Sequence, residues 1–228
     1  MTFDPVQYMN TLTELQNTNA KLPGRIQEAA SLAGIAAGIE WALDPLSSSN
    51  TRDEILNKGR VLVDTITAYL EDLVELPFSM YSAGLTWSDI QITFGKMGET
   101  LAGLQNPPGE WTGVAGGKYA DNIQQQDAAA DGMEACAAVI SNACFNVADY
   151  GYTFLFELLD NVTNVWESLF SLDPGAVLGA IVGASLTVSG DYETFKTSLG
   201  GPARALKAIP TQGGSDFPSG NWPIAAQL

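Results

Sequence analysis

The chain has 228 residues, 46% of them hydrophobic, and it carries 10 Lys and Arg against 26 Asp and Glu, a formal charge of -16. That length and apolar share support a packed core and argue against wholesale disorder, while a field this negative repels phosphate backbones and anionic headgroups, so a nucleic-acid partner is not expected. Histidine is absent, which removes the commonest transition-metal ligand, the ordinary switch near neutral pH and any Ser-His-Asp or Cys-His nucleophilic site built within this chain.

The N-terminus, Met1-Thr2-Phe3-Asp4-Pro5, has neither the basic nor the apolar region of a secretory signal peptide, and none is expected. A short helix is predicted around Pro5 to Ala20, with Pro23-Gly24 as punctuation. From Arg25 to Leu43, the residues Ile26, Ala29, Ala30, Ala33, Ala37 and Trp41 fall at three- and four-residue spacings, which predicts an amphipathic helix with a small-residue face. Asp44-Pro45 ends it. After a serine-rich loop, Thr51 with Glu54 reads as a capped start, and Ile55, Leu56, Leu62, Val63, Ile66, Tyr69, Leu70 and Leu73 mark a helix up to Pro77. Residues 25–76 thus read as a first helical hairpin.

Phe78 to Thr86 reads as a connector, with or without a helical turn of its own. Beyond it, Ile90, Phe94, Met97, Leu101 and Leu104 repeat at four, three, four and three, a single apolar stripe on one helix. Pro107 and Pro108 stop that helix by removing two donors and fixing two φ angles. The chain then turns through Gly109-Glu110-Trp111-Thr112-Gly113, where the glycines permit close approach and Trp111 sets a large ring at the end of the hairpin. That ring either plugs its own hairpin or fills a groove in a neighbour. From Val114 no proline interrupts the sequence until Pro174. Gly151 is a candidate boundary between a long helix of small and polar residues and a more hydrophobic one, Tyr152 to Leu172, carrying Phe154, Phe156, Trp166 and Phe170. Asp173-Pro174 ends this helix and opens another running to about Ser189, with Val177, Leu178, Ile181 and Val182 near its start. Its apolar text, Ala176 to Gly190, falls short of the roughly 20 residues of a single span and reads as a buried helix. Asp191 to Leu199 reads as a short helix at most, and the Gly- and Pro-rich text from Gly200 as a loose tail.

No period-two pattern persists. The expected fold is all-α: an elongated helical bundle of two successive helical hairpins with a hydrophobic helical extension. Its segments are 1–80 (N-terminal helices and first hairpin), 85–172 (the Trp-x-Gly hairpin), 174–199 (apolar and short helices) and 200–228 (tail). The two hairpins are also candidates for a four-helix bundle closed within one chain. Cys136 and Cys144, eight positions apart on one expected helix, are too far apart to bond to each other. There is no phosphate-binding glycine loop, no HExxH and no metal-ligand cluster, so no catalytic residue, cofactor or metal is expected and an enzyme is not the reading.

The stretch Gly109 to Asn122, with about 20 helical residues before it and a long helix after it, resembles the Trp-x-Gly proteins exported by actinobacterial type VII (ESX) secretion systems, and most of all their larger Esp-type substrates. The residues carrying the resemblance are Trp111, Gly113, Ala115, Lys118 and Tyr119, then Asn122 to Gln126, then Val177 to Leu186; it covers roughly 85–190. It implies a helical hairpin that pairs into an antiparallel four-helix bundle, commonly with a small partner, and a secreted or cell-surface destination reached without a signal peptide after a cytoplasmic stage. One member of such a pair carries a Tyr-x-x-x-Asp/Glu export signal. Here Tyr8, Tyr69, Tyr81, Tyr119, Tyr150, Tyr152 and Tyr192 are followed four residues on by Leu12, Leu73, Leu85, Ile123, Phe154, Phe156 and Lys196. The resemblance therefore implies that a helical hairpin partner supplies the signal, with self-association as the other mode of assembly. A membrane-active helical protein, built on residues 152–190, and a subunit of a homo-oligomeric or filamentous assembly are the alternative functions.

Overall fold

A computed structural model describes residues 2–40, 48–104, 113–171 and 173–212. These residues form an all-α structure with no strand among them, in the order α1 (Pro5–Glu40), α2 (Ser48–Leu73), α3 (Leu76–Leu104), α4 (Val114–Ser168), α5 (Pro174–Ser198) and α6 (Gly200–Gln212). The chain divides into two compact units. The first takes the residues up to Phe78 together with Ala148–Ser198, and the second takes Ser79–Val147 with the residues from Leu199 onward.

The first unit is a four-helix bundle of α1, α2, the C-terminal part of α4, and α5. Two of its helices start with the same device. Asp4 precedes Pro5, and its Oδ1 accepts the backbone N–H groups of Val6 and Gln7 at 2.8 and 3.1 Å. Asp173 precedes Pro174 and accepts the N–H of Gly175 at 2.9 Å. In each case the carboxylate satisfies orphan donors while proline occupies a position whose N–H has no intrahelical partner.

Helix α1 does not break at Pro23-Gly24. Its buried positions Tyr8, Leu12, Leu15, Asn19, Leu22, Ile26 and Ala29 alternate four and three residues without interruption. Pro23 is exposed and lies off this seam, and the continuous buried seam outweighs the roughly 3 kcal/mol that an interior proline costs. Helix α2 answers with Ile55, Gly59, Leu62, Ile66, Leu70 and Leu73. The two run antiparallel: Ile26 lies against Gly59, Asn19 Nδ2 donates to Thr67 Oγ1 at 3.0 Å, and the Tyr8 hydroxyl donates to the Leu73 carbonyl. A Cβ at Gly59 would stand 2.6 Å from Ile26 Cγ2, so this close approach requires the absence of a side chain. Asn19 is buried, and its Oδ1 has no hydrogen-bond partner. A polar group at such a seam position costs stability and favours the register in which its one partner, Thr67, is available.

The C-terminal part of α4 fills the bundle with Tyr152, Phe154, Leu155, Leu158, Val162 and Val165, all buried. Its Tyr152 hydroxyl donates to Gln7 Oε1 at 2.7 Å, and Asp149 Oδ1 accepts the Phe3 N–H at 2.7 Å, which fastens the N-terminus of the chain to this helix. Gly151 does not divide α4; a Cβ there would overlap the Pro77 ring, so the glycine serves close packing and the helix runs through. Helix α5 packs on α2 and α1 through Val177, Ile181, Val188 and Phe195. Its outer end is tied by the Tyr192 hydroxyl, which donates to Asp72 Oδ2 at 2.9 Å, and by stacking of Tyr69 on Tyr192 at 3.9 Å. The expected short helix after Asp191 is the last part of α5, held in the same phase by Phe195.

Helix α3 begins at Leu76, so the whole of the expected connector 78–86 is helical. Pro77 falls in the first turn, where it is tolerated, and the α2–α3 turn needs only Val74 and Glu75. The Gly- and Pro-rich text from Gly200 likewise starts as a helix, α6. No helix among the described residues is long and apolar enough to cross a membrane.

Candidate interaction surface

The second unit contains the long part of α3 and the N-terminal part of α4, paired antiparallel in a constant register. Gly84 lies against Phe145, Gly95 against Glu134, and Gly98 against Asp131 and Asp127. The Ser141 hydroxyl donates to the Gly84 carbonyl at 2.9 Å. The seam is made of small residues. On the part of α3 in this unit the buried positions are Gly84 and Gly98; on α4 a buried residue recurs every seven positions, Gly116, Ile123, Ala130, Ala137 and Cys144. A seven-residue repeat keeps one face turned to a partner helix, and small residues let the backbones approach closely. At Gly84 an added Cβ would stand 2.8 Å from the Phe145 ring, and at Gly98 it would stand 3.3 Å from Asp131 Oδ1.

This seam leaves the large side chains of α3 elsewhere. At about 100° per residue, the stripe Ile90, Phe94, Met97, Leu101 and Leu104 lies roughly a third of a turn from the glycines. None of its five members is buried: Ile90, Phe94 and Leu101 are half-buried, while Met97 and Leu104 are 48% and 45% exposed. The opposite flank carries Leu85 and Ile92, also exposed. The second unit therefore presents apolar rows on both sides of its α3 seam.

The turn joining the two helices lies largely outside the described residues, which leaves out Pro107, Pro108, Gly109 and Trp111. Gly113 is described, and its φ of +89° is a backbone conformation that glycine adopts without strain. It stands immediately before α4, its carbonyl accepting the Gly117 N–H at 3.1 Å. Tyr119, six residues on, is half-buried.

The remaining predicted apolar residues belong to the first unit. Phe154, Val177 and Ile181 are buried there; Phe156, Trp166, Leu178 and Val182 are half-buried. Phe154 stacks on Phe195 at 5.5 Å, and the exposed Phe170 lies under the Arg25 guanidinium at 4.2 Å. Gly84, Gly95 and Gly98 were not among the residues expected to matter. Their signal in the sequence is weak, since a seam of glycines carries no hydrophobic periodicity.

Cys136 and Cys144 are free thiols, with burial pushing both upward in pKa, which makes them poor nucleophiles. Among the described residues no group of three or more His, Cys, Asp or Glu could hold a metal ion. No protein-family model, no curated protein and no solved structure matches the chain.

Proposed function

We propose that the chain is an exported or export-associated helical packing protein of a type VII secretion system, and that it works by pairing rather than by catalysis. In this reading α1/α2 and α3/α4 are two successive hairpins, and α5 is the apolar extension folded back onto the first of them. The first hairpin completes its bundle within the chain, with α4 and α5 as the other two helices. The α3/α4 hairpin takes its missing helices from a small helical hairpin partner, which brings the Tyr-x-x-x-Asp/Glu signal that none of the seven tyrosines here provides. The chain then leaves the cytoplasm with that partner, by a route independent of a signal peptide.

The observation that carries this reading is the apolar stripe on α3, half-buried at Ile90, Phe94 and Leu101 and exposed at Met97 and Leu104. Exposed rows of this kind mark interaction sites, and helix-on-helix docking uses anchors three and four residues apart, which is the spacing of Ile90, Phe94, Met97, Leu101 and Leu104. The Trp-x-Gly turn and the small-residue text after it support the family context. Co-expression with the small helical hairpin proteins encoded beside this gene tests it: a stable 1:1 complex is expected. A chain that purifies alone in the presence of every such partner, or that assembles only with itself, contradicts it.

A further inference from the structure

The first unit carries a feature that pairing through α3 does not use. Between α1 and α2 lies a groove with a cavity of about 420 Å³, within the roughly 300–1,000 Å³ typical of small-molecule sites. Its lining is mixed: the buried Ile26 of α1 with the half-buried Leu56 and Val63 of α2 make an apolar floor, Pro23 and Gln27 line the α1 side, and the exposed Arg52 and Arg60 form the rim. The two arginines are eight residues apart on α2, about 12 Å along the axis, and neither forms an ion pair with a described residue.

The placement of charge is unusual for this chain. Five of its ten basic residues, Lys21, Arg25, Arg52, Lys58 and Arg60, fall on the stretches of α1 and α2 that meet where Ile26 faces Gly59, against the four acidic residues Glu28, Asp53, Glu54 and Asp64 there, so this region escapes the negative excess of the chain as a whole. Arg25 is engaged by Glu28 on its own helix. Asp64 also lines the groove, one turn beyond Arg60, and Asp53 follows Arg52 on the same helix; of these two carboxylates only Asp64 is part of the lining, so the Arg52 end is the better place for an anionic head. Arginine presents a planar fork of donors that matches a carboxylate.

We propose that this groove binds a single-chain carboxylate amphiphile, with its head group on the arginine rim and its alkyl chain along Ile26, Leu56 and Val63. The site asks for both parts of the ligand: the floor offers an alkyl chain a place out of water, and the rim supplies the counter-charge that an otherwise acidic surface lacks. It lies in the first unit and does not depend on the pairing of α3.

Titration calorimetry of the full chain with dodecanoate, below its micelle concentration, tests the proposal. Saturable binding is expected, with dodecyl maltoside, which has the same tail and a neutral head, at least about tenfold weaker, as loss of a charge-assisted contact implies. Arg52→Gln/Arg60→Gln changes only exposed side chains and is expected to keep the helical spectrum while weakening dodecanoate by a similar factor. Val63→Trp, which fills the floor and keeps both charges, should abolish binding. Equal affinity for the two amphiphiles, unchanged binding by the arginine variant, or no saturable binding to the folded native chain would each overturn the proposal.

Discussion

The two units of this chain use one helical period for opposite ends, and α4 shows both uses along its length. Its buried residue recurs every seven positions from Gly116 to Val165. In the second unit those positions hold Gly116, Ile123, Ala130, Ala137 and Cys144; in the first they hold Gly151, Leu158 and Val165, with Tyr152, Phe154 and Leu155 beside them. Where the repeat is mostly small, two helices approach closely and the large apolar residues of α3 remain half-buried or exposed. Where larger residues join it, four helices close around them. Burial of big side chains supplies most of the free energy of a helical core, so the first unit holds the stability and the second holds the unsatisfied surface.

The sharpest contrast lies in truncation. Leu155→Ala, at a fully buried position of the first unit, should cost about 2–5 kcal/mol through lost transfer energy and a residual cavity. Met97→Ala, on the exposed row of α3, should change stability by no more than about 0.5 kcal/mol. Chemical denaturation of both variants measures this, and comparable losses would mean that the stripe is a core already closed. A smaller effect is expected at the seam. Gly84→Val places carbon against the Phe145 ring and should cost about 1–3 kcal/mol, read as a lowered denaturation midpoint; a neutral result would mean that α3 and α4 stand further apart than described.

The smallest effect concerns pH in the first unit. Burial, and then the neighbouring Asp191 carboxylate, push the Glu157 carboxyl above its ordinary value. A carboxyl whose folded pKa is raised favours the folded state when protonated. Its contribution is therefore complete below the ordinary glutamate value and fades as pH climbs through the raised one. Glu157→Gln should give a slightly higher melting temperature than the parent at pH 7 and a difference that vanishes near pH 4. A variant less stable than the parent at pH 7 would show that the ionised side chain is favoured in the fold.

Much of this architecture is legible in the sequence, and the exceptions have a common cause. The all-α class follows from periodicity, and the Asp-Pro starts of α1 and α5 are local chemistry that any reader of the chain meets. Pro23 and Gly151 look like breaks because propensity is local. The α1 seam from Tyr8 to Ala29 and the contact of Gly151 with Pro77 are tertiary, and they override it. The surface of the second unit is half legible. Ile90, Phe94, Met97, Leu101 and Leu104 announce themselves as a stripe, but periodicity counts large side chains and cannot tell a face that is buried from one that is left open. The side of α3 that meets α4 is defined by Gly84, Gly95 and Gly98, which leave no apolar signal.

Paired substitutions on the two flanks of α3 test the central claim most directly. Met97→Asp/Leu104→Asp places charge on the stripe, and Leu85→Asp/Ile92→Asp places it on the opposite flank, in both cases at positions already exposed. With the chain co-expressed beside the proposed hairpin partner and any complex weighed by light scattering, the stripe variant is predicted to remain folded and lose the partner while the flank variant retains it. A complex that survives charge on the stripe would contradict the account.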